Sequence, residues 1–240
     1  MKWIVFDVDG VLVDVTESFD LSVKFTVEYF LKKFGKFIKV DVDLIRKLRI
    51  KGRFNDDFKL SEALIDFYLN GDAEELVNNF PEGKGIEWVR KNWGNKIDNN
   101  SLINVFNTFY LGGESSDSLW KNEKSIVDVN LLKEAGKFYK IGIITGRNRK
   151  ETALAERIVG MKFENKITRE DGEKPDPFLL YLLTKNEDGF YIGDTTTDKM
   201  LVLNYNKAYH RNFGFYIVNG TTNVNKILEE LIHSQKAWEF

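Results

Sequence analysis

Four aspartates stand just after apolar runs of the sequence, where they could bind a metal ion together. Asp7 and Asp9 follow the first apolar run, and Asp194 and Asp198 follow a later one. Four carboxylates gathered at one sheet edge would repel one another, and some of their pKa values would rise unless a cation lay among them. A hard divalent cation takes oxygen ligands, and Mg²⁺ commonly keeps water and a substrate phosphate in its shell. The spacing therefore predicts a Mg²⁺ site made by these four residues.

Hydroxyl, backbone and ammonium groups elsewhere in the sequence could bind a phosphate beside that metal. Thr145 and Gly146 follow another apolar run and offer a hydroxyl and an unobstructed backbone N–H. Lys174, next to Pro175 and Pro177, offers a positive charge that neutralises phosphate and carboxylate alike. Carboxylates, a cation, a hydroxyl and an ammonium are the groups needed for phosphoryl transfer by covalent catalysis. We therefore expect Thr145, Gly146 and Lys174 to bind a phosphate.

The composition of the chain excludes or disfavours several other kinds of site and partner. The sequence has no cysteine, which rules out disulfides, thiolate nucleophiles and cysteine-ligated metals. The net charge of −2 gives no electrostatic reason to expect nucleic acid or a membrane surface as partner. No apolar run is long enough for a signal-peptide core or a membrane span, so we expect a cytoplasmic protein. The oligomeric state is left open.

Short apolar runs and helical spacings predict an α/β fold that gathers the polar residues at one edge of a sheet. Four runs are typical of buried parallel strands: 3–6, 141–144, 190–192 and 215–218. Three segments have helical spacing: 131–138, 177–183 and 227–232. Strands that alternate with helices predict a parallel sheet, and ligands bind beyond the carboxyl ends of such strands.

The stretch 16–115 has a different pattern and predicts an inserted helical domain. It holds few strand-like runs and many helical ones, and a loop of that length is implausible in a compact domain. We therefore expect a core domain made by 1–15 and 116–240, and a helical cap domain at 16–115 with a return linker at 112–116. Asp14 and Glu17 have the spacing of a capping box at the start of the first inserted helix.

In four successive motifs the sequence resembles the haloacid dehalogenase-like superfamily. The motifs span residues 7 to 198 in the order that the family shows: Phe-Asp-Val-Asp-Gly-Val-Leu-Val-Asp, Ile-Thr-Gly-Arg, Lys-Pro-Asp-Pro and Ile-Gly-Asp-Thr-Thr-Thr-Asp. The likeness is closest to the phosphoglycolate phosphatase-like group of subfamily I, which has a helical cap after the first strand. It implies a Rossmann-like parallel sheet with helices on both faces and an inserted α-helical cap.

The resemblance also implies an activity, that of a Mg²⁺-dependent phosphatase acting through an aspartyl-phosphate intermediate. Asp7 would be the nucleophile and a metal ligand. Asp9 would be the general acid and then the general base, and its backbone carbonyl would bind Mg²⁺. Aspartate at position 9, rather than tyrosine or threonine, favours a phosphatase over a dehalogenase or an ATPase, because it can protonate the leaving alkoxide.

The remaining motif residues resemble the groups that hold the phosphate and the metal in this family. Thr145 would hold the phosphate and Lys174 would stabilise it. Asp194 would bind the metal, and Asp198 would support it directly or through water. Arg147 stands where many members have asparagine or a small residue, and an arginine in such a turn is more often a surface charge than a ligand.

The inserted domain is where we expect the substrate to be selected. Its loop at 51–57 resembles the cap loop of relatives, and we expect Arg53, with Lys51 and Asn55, to contact the part of the substrate that does not react. A cap of this size indicates a small phosphorylated metabolite. A phosphomutase acting on a sugar phosphate, a catalytically silent binding module with the same fold, and a dehalogenase stay open as alternatives.

Overall fold

The computed structural model of the protein describes residues 1–54, 56–94, 96–113 and 117–236. The chain divides into two compact units. The first, here called the core unit, is made by Met1–Asp14 and Lys124–Phe240. The second, here called the helical unit, is the intervening segment Val15–Glu123. Within the described residues, every helix is too short or too polar to span a lipid bilayer.

The secondary structure of the two units differs in kind. All strands of the described residues lie in the core unit: β1 (Trp3–Phe6), β2 (Val13–Asp14), β3 (Lys124–Ser125), β4 (Lys140–Ile144), β5 (Asn165–Ile167), β6 (Gly189–Gly193) and β7 (Gly214–Ile217). The helical unit holds the following helices: α1 (Phe19–Lys33), α2 (Val42–Gly52), α3 (Asp57–Asn70), α4 (Ala73–Asn78), α5 (Gly85–Trp93), α6 (Asn99–Leu111) and a 3₁₀ helix (Leu119–Asn122). The core unit adds a second set: α7 (Val129–Ala135), α8 (Arg149–Val159), α9 (Phe178–Thr184), α10 (Thr196–Tyr209) and α11 (Val224–Lys236).

The described strands of the core unit form a parallel sheet in the order β5-β4-β1-β6-β7, beside a small antiparallel pair, β2 and β3. β1 lies at the centre, with Phe6 level with Ile143 of β4 and Ile192 of β6. The four strands predicted from apolar runs are confirmed as β1, β4, β6 and β7. The edge strand β5 was not predicted, because its sequence Asn-Lys-Ile is mostly polar and its first two residues are exposed.

Helices cover both faces of this sheet. Val5 and Tyr191 pack on one face in a buried cluster with leucines of α9 and α10. Ile4 points to the opposite face, because side chains alternate along a strand, and is fully buried. On that face Phe190 packs against Tyr139, whose hydroxyl donates to a backbone carbonyl of α11 at 3.1 Å. The expected α/β, Rossmann-like fold is therefore confirmed.

The helical unit has a hydrophobic core of its own and ends later in the chain than expected. Trp120 packs against that core, and the buried Glu123 accepts a hydrogen bond from Tyr110 at 3.0 Å. These contacts place the boundary after Glu123 rather than after residue 115. Residues 114–116 of the expected linker lie outside the described residues.

The prediction that Asp14 and Glu17 form a capping box at the first helix of this unit is wrong. α1 begins at Phe19, and Ser18 occupies its N-cap position without a side-chain capping bond. Asp14 lies in β2, where it pairs with Lys124 of β3. The strand pairing therefore takes Asp14 away from the helix end that its spacing indicated.

Candidate active site

The register of the sheet brings the predicted site residues to one edge. β1, β4 and β6 are neighbours and run parallel, so the residues that follow them, Asp7, Thr145 and Asp194, emerge together. The backbone N–H of Asp7 still donates to the carbonyl of Ile192 at 2.9 Å, which extends the pairing of β1 and β6 to the predicted nucleophile. A rigid central strand thus holds Asp7.

Lys174 links two of the aspartates in the interior. Its Nζ lies 3.0 Å from Oδ1 of Asp7 and 2.7 Å from Oδ1 of Asp198, and its side chain is only 12% exposed. Burial alone would lower the pKa of Lys174, but the charges of Asp7 and Asp198 outweigh burial and raise it. Lys174 therefore stays protonated and supplies a fixed positive charge.

Asp198 is fully buried and accepts four hydrogen bonds. Oδ1 accepts from Lys174 at 2.7 Å and from the hydroxyl of Tyr191 at 3.1 Å. Oδ2 accepts from the backbone N–H and the hydroxyl of Thr195 at 3.1 and 2.6 Å, within a capping box at the start of α10. Gly193 makes room for this carboxylate, because a Cβ there would lie 2.6 Å from that of Asp198. These contacts suit Asp198 to positioning Lys174.

Asp194 holds an oxygen that has no partner. Its Oδ1 is buried and has no hydrogen-bond partner among the described residues. Its other oxygen faces Gly10, whose φ of +74° and missing side chain both matter, since a Cβ would lie 2.3 Å from Oδ2. Burial, and then the charge of Asp198, raise the pKa of Asp194 to about 6, although Lys174 opposes them.

The acidic groups fit a cation. One carboxylate oxygen each of Asp7, Asp194 and Asp198 lie within 4.8 Å of one another. Burial raises the pKa of Asp7 well above its usual range; Lys174 opposes the shift, and the neighbouring carboxylates add to it. An orphaned buried oxygen in such a cluster is the group that a hard cation would satisfy. The donor set therefore fits a metal with oxygen ligands.

Arg147 is a buried residue of the candidate site whose position the sequence did not reveal. The expectation of a surface charge is wrong, because its side chain is 1% exposed and its Nε donates to Oδ1 of Asp9 at 2.7 Å. The partner lies 138 residues away, so no local pattern reports the pair. The only signal was its place two residues after Thr145 at a strand end.

Two of the residues expected to bind phosphate, Thr145 and Gly146, lie beside this pair. Thr145 is buried, and its hydroxyl oxygen accepts from the backbone N–H of Arg147 at 3.1 Å, so its own proton can be donated to a ligand. Gly146 is exposed, with open space where a Cβ would be, and its carbonyl accepts from Nε of Arg169 at 2.7 Å. These hydrogen bonds hold the turn in a conformation that could bind an anion.

The three residues expected to contact the substrate belong to the helical unit. Lys51 lies in α2, and its Nζ donates to the backbone carbonyl of Asn78. Arg53 follows α2 with a φ of +54°, and its side chain is 75% exposed, 3.9 Å from Glu82. Asn55 lies outside the described residues. Contact of these residues with a substrate stays a prediction.

Comparisons with known proteins were made by sequence and by structure. Neither a protein-family model nor a curated protein matches the chain. Among solved structures, phosphatase Tt82 from Thermococcus thioreducens is 50% identical, with a TM-score of 0.88 over 96% of this chain and 99% of the other. A predicted phosphoglycolate phosphatase from Haemophilus somnus is 14% identical, with a TM-score of 0.60 over 96% and 98%.

A third similar structure carries ligands. It is a HAD family hydrolase from Deinococcus radiodurans with bound phosphate and sodium, 15% identical, with a TM-score of 0.53 over 96% of this chain and 88% of the other. At this identity the second and third structures show a shared fold. The identity to the Thermococcus phosphatase over nearly the full length of both chains shows kinship. The chain therefore belongs to the phosphatases of the haloacid dehalogenase-like superfamily.

Proposed function

We propose that this phosphatase is Mg²⁺-dependent and hydrolyses a small phosphorylated metabolite through an aspartyl-phosphate on Asp7. The observation that carries the proposal is the position of Asp7, whose Oδ1 lies 3.0 Å from Lys174 inside a cluster that includes the unpartnered oxygen of Asp194. A carboxylate, a fixed positive charge and a cluster of acidic oxygens at one sheet edge meet the needs of phosphoryl transfer.

The first step forms a bond between Asp7 and phosphorus. Oδ1 of Asp7 accepts from the backbone N–H of Val8 at 2.7 Å as well as from Lys174, so we assign Oδ2 as the attacking oxygen. The ester P–O bond breaks as the new bond forms, and the leaving oxygen takes the proton of the Asp9 carboxylic acid. The Thr145 hydroxyl, the Gly146 backbone and Lys174 hold the other phosphate oxygens.

The second step returns the enzyme to its starting state. Asp9, now a carboxylate, takes a proton from a water molecule as that water attacks phosphorus. The bond between Asp7 and phosphorus breaks, inorganic phosphate leaves, and Asp9 again carries its proton. Asp7 and Asp194, the backbone carbonyl of Asp9 and the supporting Asp198 would hold Mg²⁺, which when bound would neutralise charge on phosphate and carboxylates.

A phosphate-release screen over a panel of phosphorylated metabolites, with Mg²⁺ and with EDTA, tests the proposal. We expect release that EDTA abolishes and Mg²⁺ restores. Acid quenching followed by borohydride, which reduces an acyl phosphate, should mark residue 7 in a digest analysed by mass spectrometry. An isomerised sugar phosphate in place of free phosphate would indicate a phosphomutase, and no turnover with any ester would indicate a binding module.

The proposed role of Arg53 has a separate test. Its exposed guanidinium is suited to binding the polar part of a small substrate. Arg53→Ala should raise KM for the metabolite found in the screen far more than KM for 4-nitrophenyl phosphate. Equal changes for both compounds would remove Arg53 from substrate recognition.

A further inference from the structure

The buried Arg147 is paired with Asp9, and the steps described so far give Arg147 no role. Arg147 is among the largest fully buried side chains of the described residues. Burying a guanidinium is costly unless it is paired and hydrogen-bonded. Its Nε donates to Oδ1 of Asp9 at 2.7 Å and its Nη1 to the carbonyl of Glu151 at 3.3 Å. Such a pair is retained at a cost, which calls for a function.

The backbone of Arg147 is held on both sides. Its N–H donates to the hydroxyl of Thr145 at 3.1 Å, and its carbonyl accepts from the N–H of Arg169 at 3.0 Å. The side chain of Arg169 in turn reaches the carbonyl of Gly146 at 2.7 Å and Oε2 of the buried Glu151 at 3.2 Å. These hydrogen bonds hold the backbone of Arg147 in place, so its guanidinium has a fixed position.

The Asp9 side chain is more exposed than that of Arg147. It is 32% exposed, and Asp9 lies in the turn after β1, closed by bonds such as that from Leu12 N–H to the Val8 carbonyl at 2.8 Å. An aspartate side chain on such a turn can adopt several rotamers. The bond from Arg147 selects one of them.

That bond also affects which oxygen of Asp9 delivers a proton. A guanidinium has donors and no acceptor, so the oxygen that faces it must accept, and the carbonyl oxygen of a carboxylic acid accepts better than its hydroxyl oxygen. Oδ1 of Asp9 is this oxygen. The bond from Arg147 thus favours the transferable proton on Oδ2.

We infer that Arg147 is a positioning residue that fixes the Asp9 carboxyl so that Oδ2 faces the leaving group. The inference rests on the proposed function, in which Asp9 protonates the leaving oxygen. It makes Arg147 important where the leaving group needs a proton and unimportant where it does not. Alkoxides need one, whereas 4-nitrophenolate leaves as a stable anion.

The test compares kcat/KM for benzyl phosphate, phenyl phosphate and 4-nitrophenyl phosphate in Arg147→Gln and Arg147→Lys. General acid catalysis is worth about 10²–10⁴-fold, so we expect a fall of about 10–100-fold for benzyl phosphate. The fall should be intermediate for phenyl phosphate and under about 3-fold for 4-nitrophenyl phosphate. A uniform fall for the three esters in a folded variant would overturn the inference, since it would place Arg147 on the phosphate or in the fold alone.

A double-mutant cycle shows whether Arg147 acts through Asp9. Asp9→Asn should reproduce the dependence on the leaving group, and the double variant with Arg147→Gln should lose no more than Asp9→Asn alone. Additive losses would contradict the inference. If Arg147→Gln does not fold, Arg147→Lys decides, because it keeps the buried charge and loses the planar fork.

Arg149→Gln is the matched control. Arg149 lies two residues further on, its side chain is 72% exposed, and it reaches Asp171 at 3.5 Å. The three esters should be hydrolysed by this variant as by the wild type. A wild type that hydrolyses none of them and none of the metabolites in the screen would refute the proposed function instead, so the two failures are distinguishable.

Discussion

Both units of the molecule bury acidic side chains, but the acids meet different surroundings. In the core unit, Asp7, Asp194 and Asp198 come from two strand ends and the first turn of a helix, and their oxygens converge within 4.8 Å. In the helical unit, Glu62 and Asp66 lie one turn apart on the single helix α3 and are 4% and 1% exposed. Asp7 and Asp198 are as deeply buried as the two acids of α3 and Asp194 is half-buried, but among the described residues only the acids of the core unit converge in a group of three.

The partners of these acids differ in the same way. Lys174 lies between Asp7 and Asp198 and holds them in one cluster. In α3, Glu62 is paired through both its oxygens with Arg90 at 2.9 and 2.8 Å, while neither carboxyl oxygen of Asp66 has a hydrogen-bond partner among the described residues. The acidic cluster of the core unit, with the positive charge of Lys174 beside it, has groups that a ligand could bind. A buried acid without a hydrogen-bond partner costs stability, and we infer no ligand for it.

The largest expected effect is on activity, and it should distinguish a buried acid of the core unit from a buried acid of the helical unit. Asp7→Asn removes the nucleophile and should lower phosphate release by at least about 10³-fold, because the covalent route disappears. Asp66→Asn makes the same atomic change at a buried acid of the helical unit and should leave kcat within about 2-fold. Phosphate release, with deamidation of the first variant excluded by mass spectrometry, measures both. A large loss in Asp66→Asn would break the comparison.

The next effect concerns stability. Lys174→Met leaves Asp7 and Asp198 buried without their shared cation, and breaking a buried pair in this way costs roughly 3–5 kcal/mol. Urea unfolding without Mg²⁺ should show this loss, with activity abolished as well. Lys166→Met is a suitable control, because that lysine is 40% exposed and pairs with Glu156 alone. Its loss should stay under about 1 kcal/mol.

A smaller effect depends on the metal. Mg²⁺ at a hundredfold excess over its Kd should stabilise the wild type by about 2.7 kcal/mol. Asp194→Asn replaces the unpartnered oxygen and should remove most of this stabilisation. Thermal unfolding with increasing Mg²⁺ measures it, and Asp66→Asn should respond as the wild type does. If Mg²⁺ stabilised Asp194→Asn as much as the wild type, Asp194 would not be a ligand of the metal.

What the sequence could predict follows the same division between local and distant causes. The strands β1, β4 and β6 were predictable because a short apolar run that ends in polar residues is a local pattern. The positions of Asp7, Thr145 and Asp194 followed, since parallel strands end at one edge.

The missed features depend on contacts made across the fold. Arg147 is buried because Asp9 lies 138 residues away in the chain and beside it in space. The strand β5 exists because β4 offers it an edge, with Ile144 level with Ile167, although two of its residues are polar and exposed. Trp120 belongs to the helical unit because of the core it packs on. The contacts that place these residues form in the folded protein, and a local sequence pattern does not indicate them.

The smallest expected effect is on the pH dependence of stability, and it concerns Asp66, the buried acid whose carboxyl has no hydrogen-bond partner among the described residues. Burial, opposed by Lys96 and assisted by Glu62, raises the pKa of Asp66 to about 6 in the folded protein, from an ordinary value of 3.8. Between these values the folded state binds a proton that the unfolded state releases. The free energy of unfolding therefore falls as pH rises through this window, and the loss is complete above about pH 6.

Asp66→Asn should abolish that part of the pH dependence. The shift lowers the free energy of unfolding of the wild type by roughly 2 kcal/mol between pH 4 and pH 8, so the stability of the variant relative to the wild type should rise by that amount over this range. Urea unfolding at both pH values, taken as the difference between variant and wild type, removes the contribution of the core acids, which both proteins share. A difference that does not grow with pH would mean that burial does not raise the pKa of Asp66, and the contrast between the two units would then lie in geometry alone.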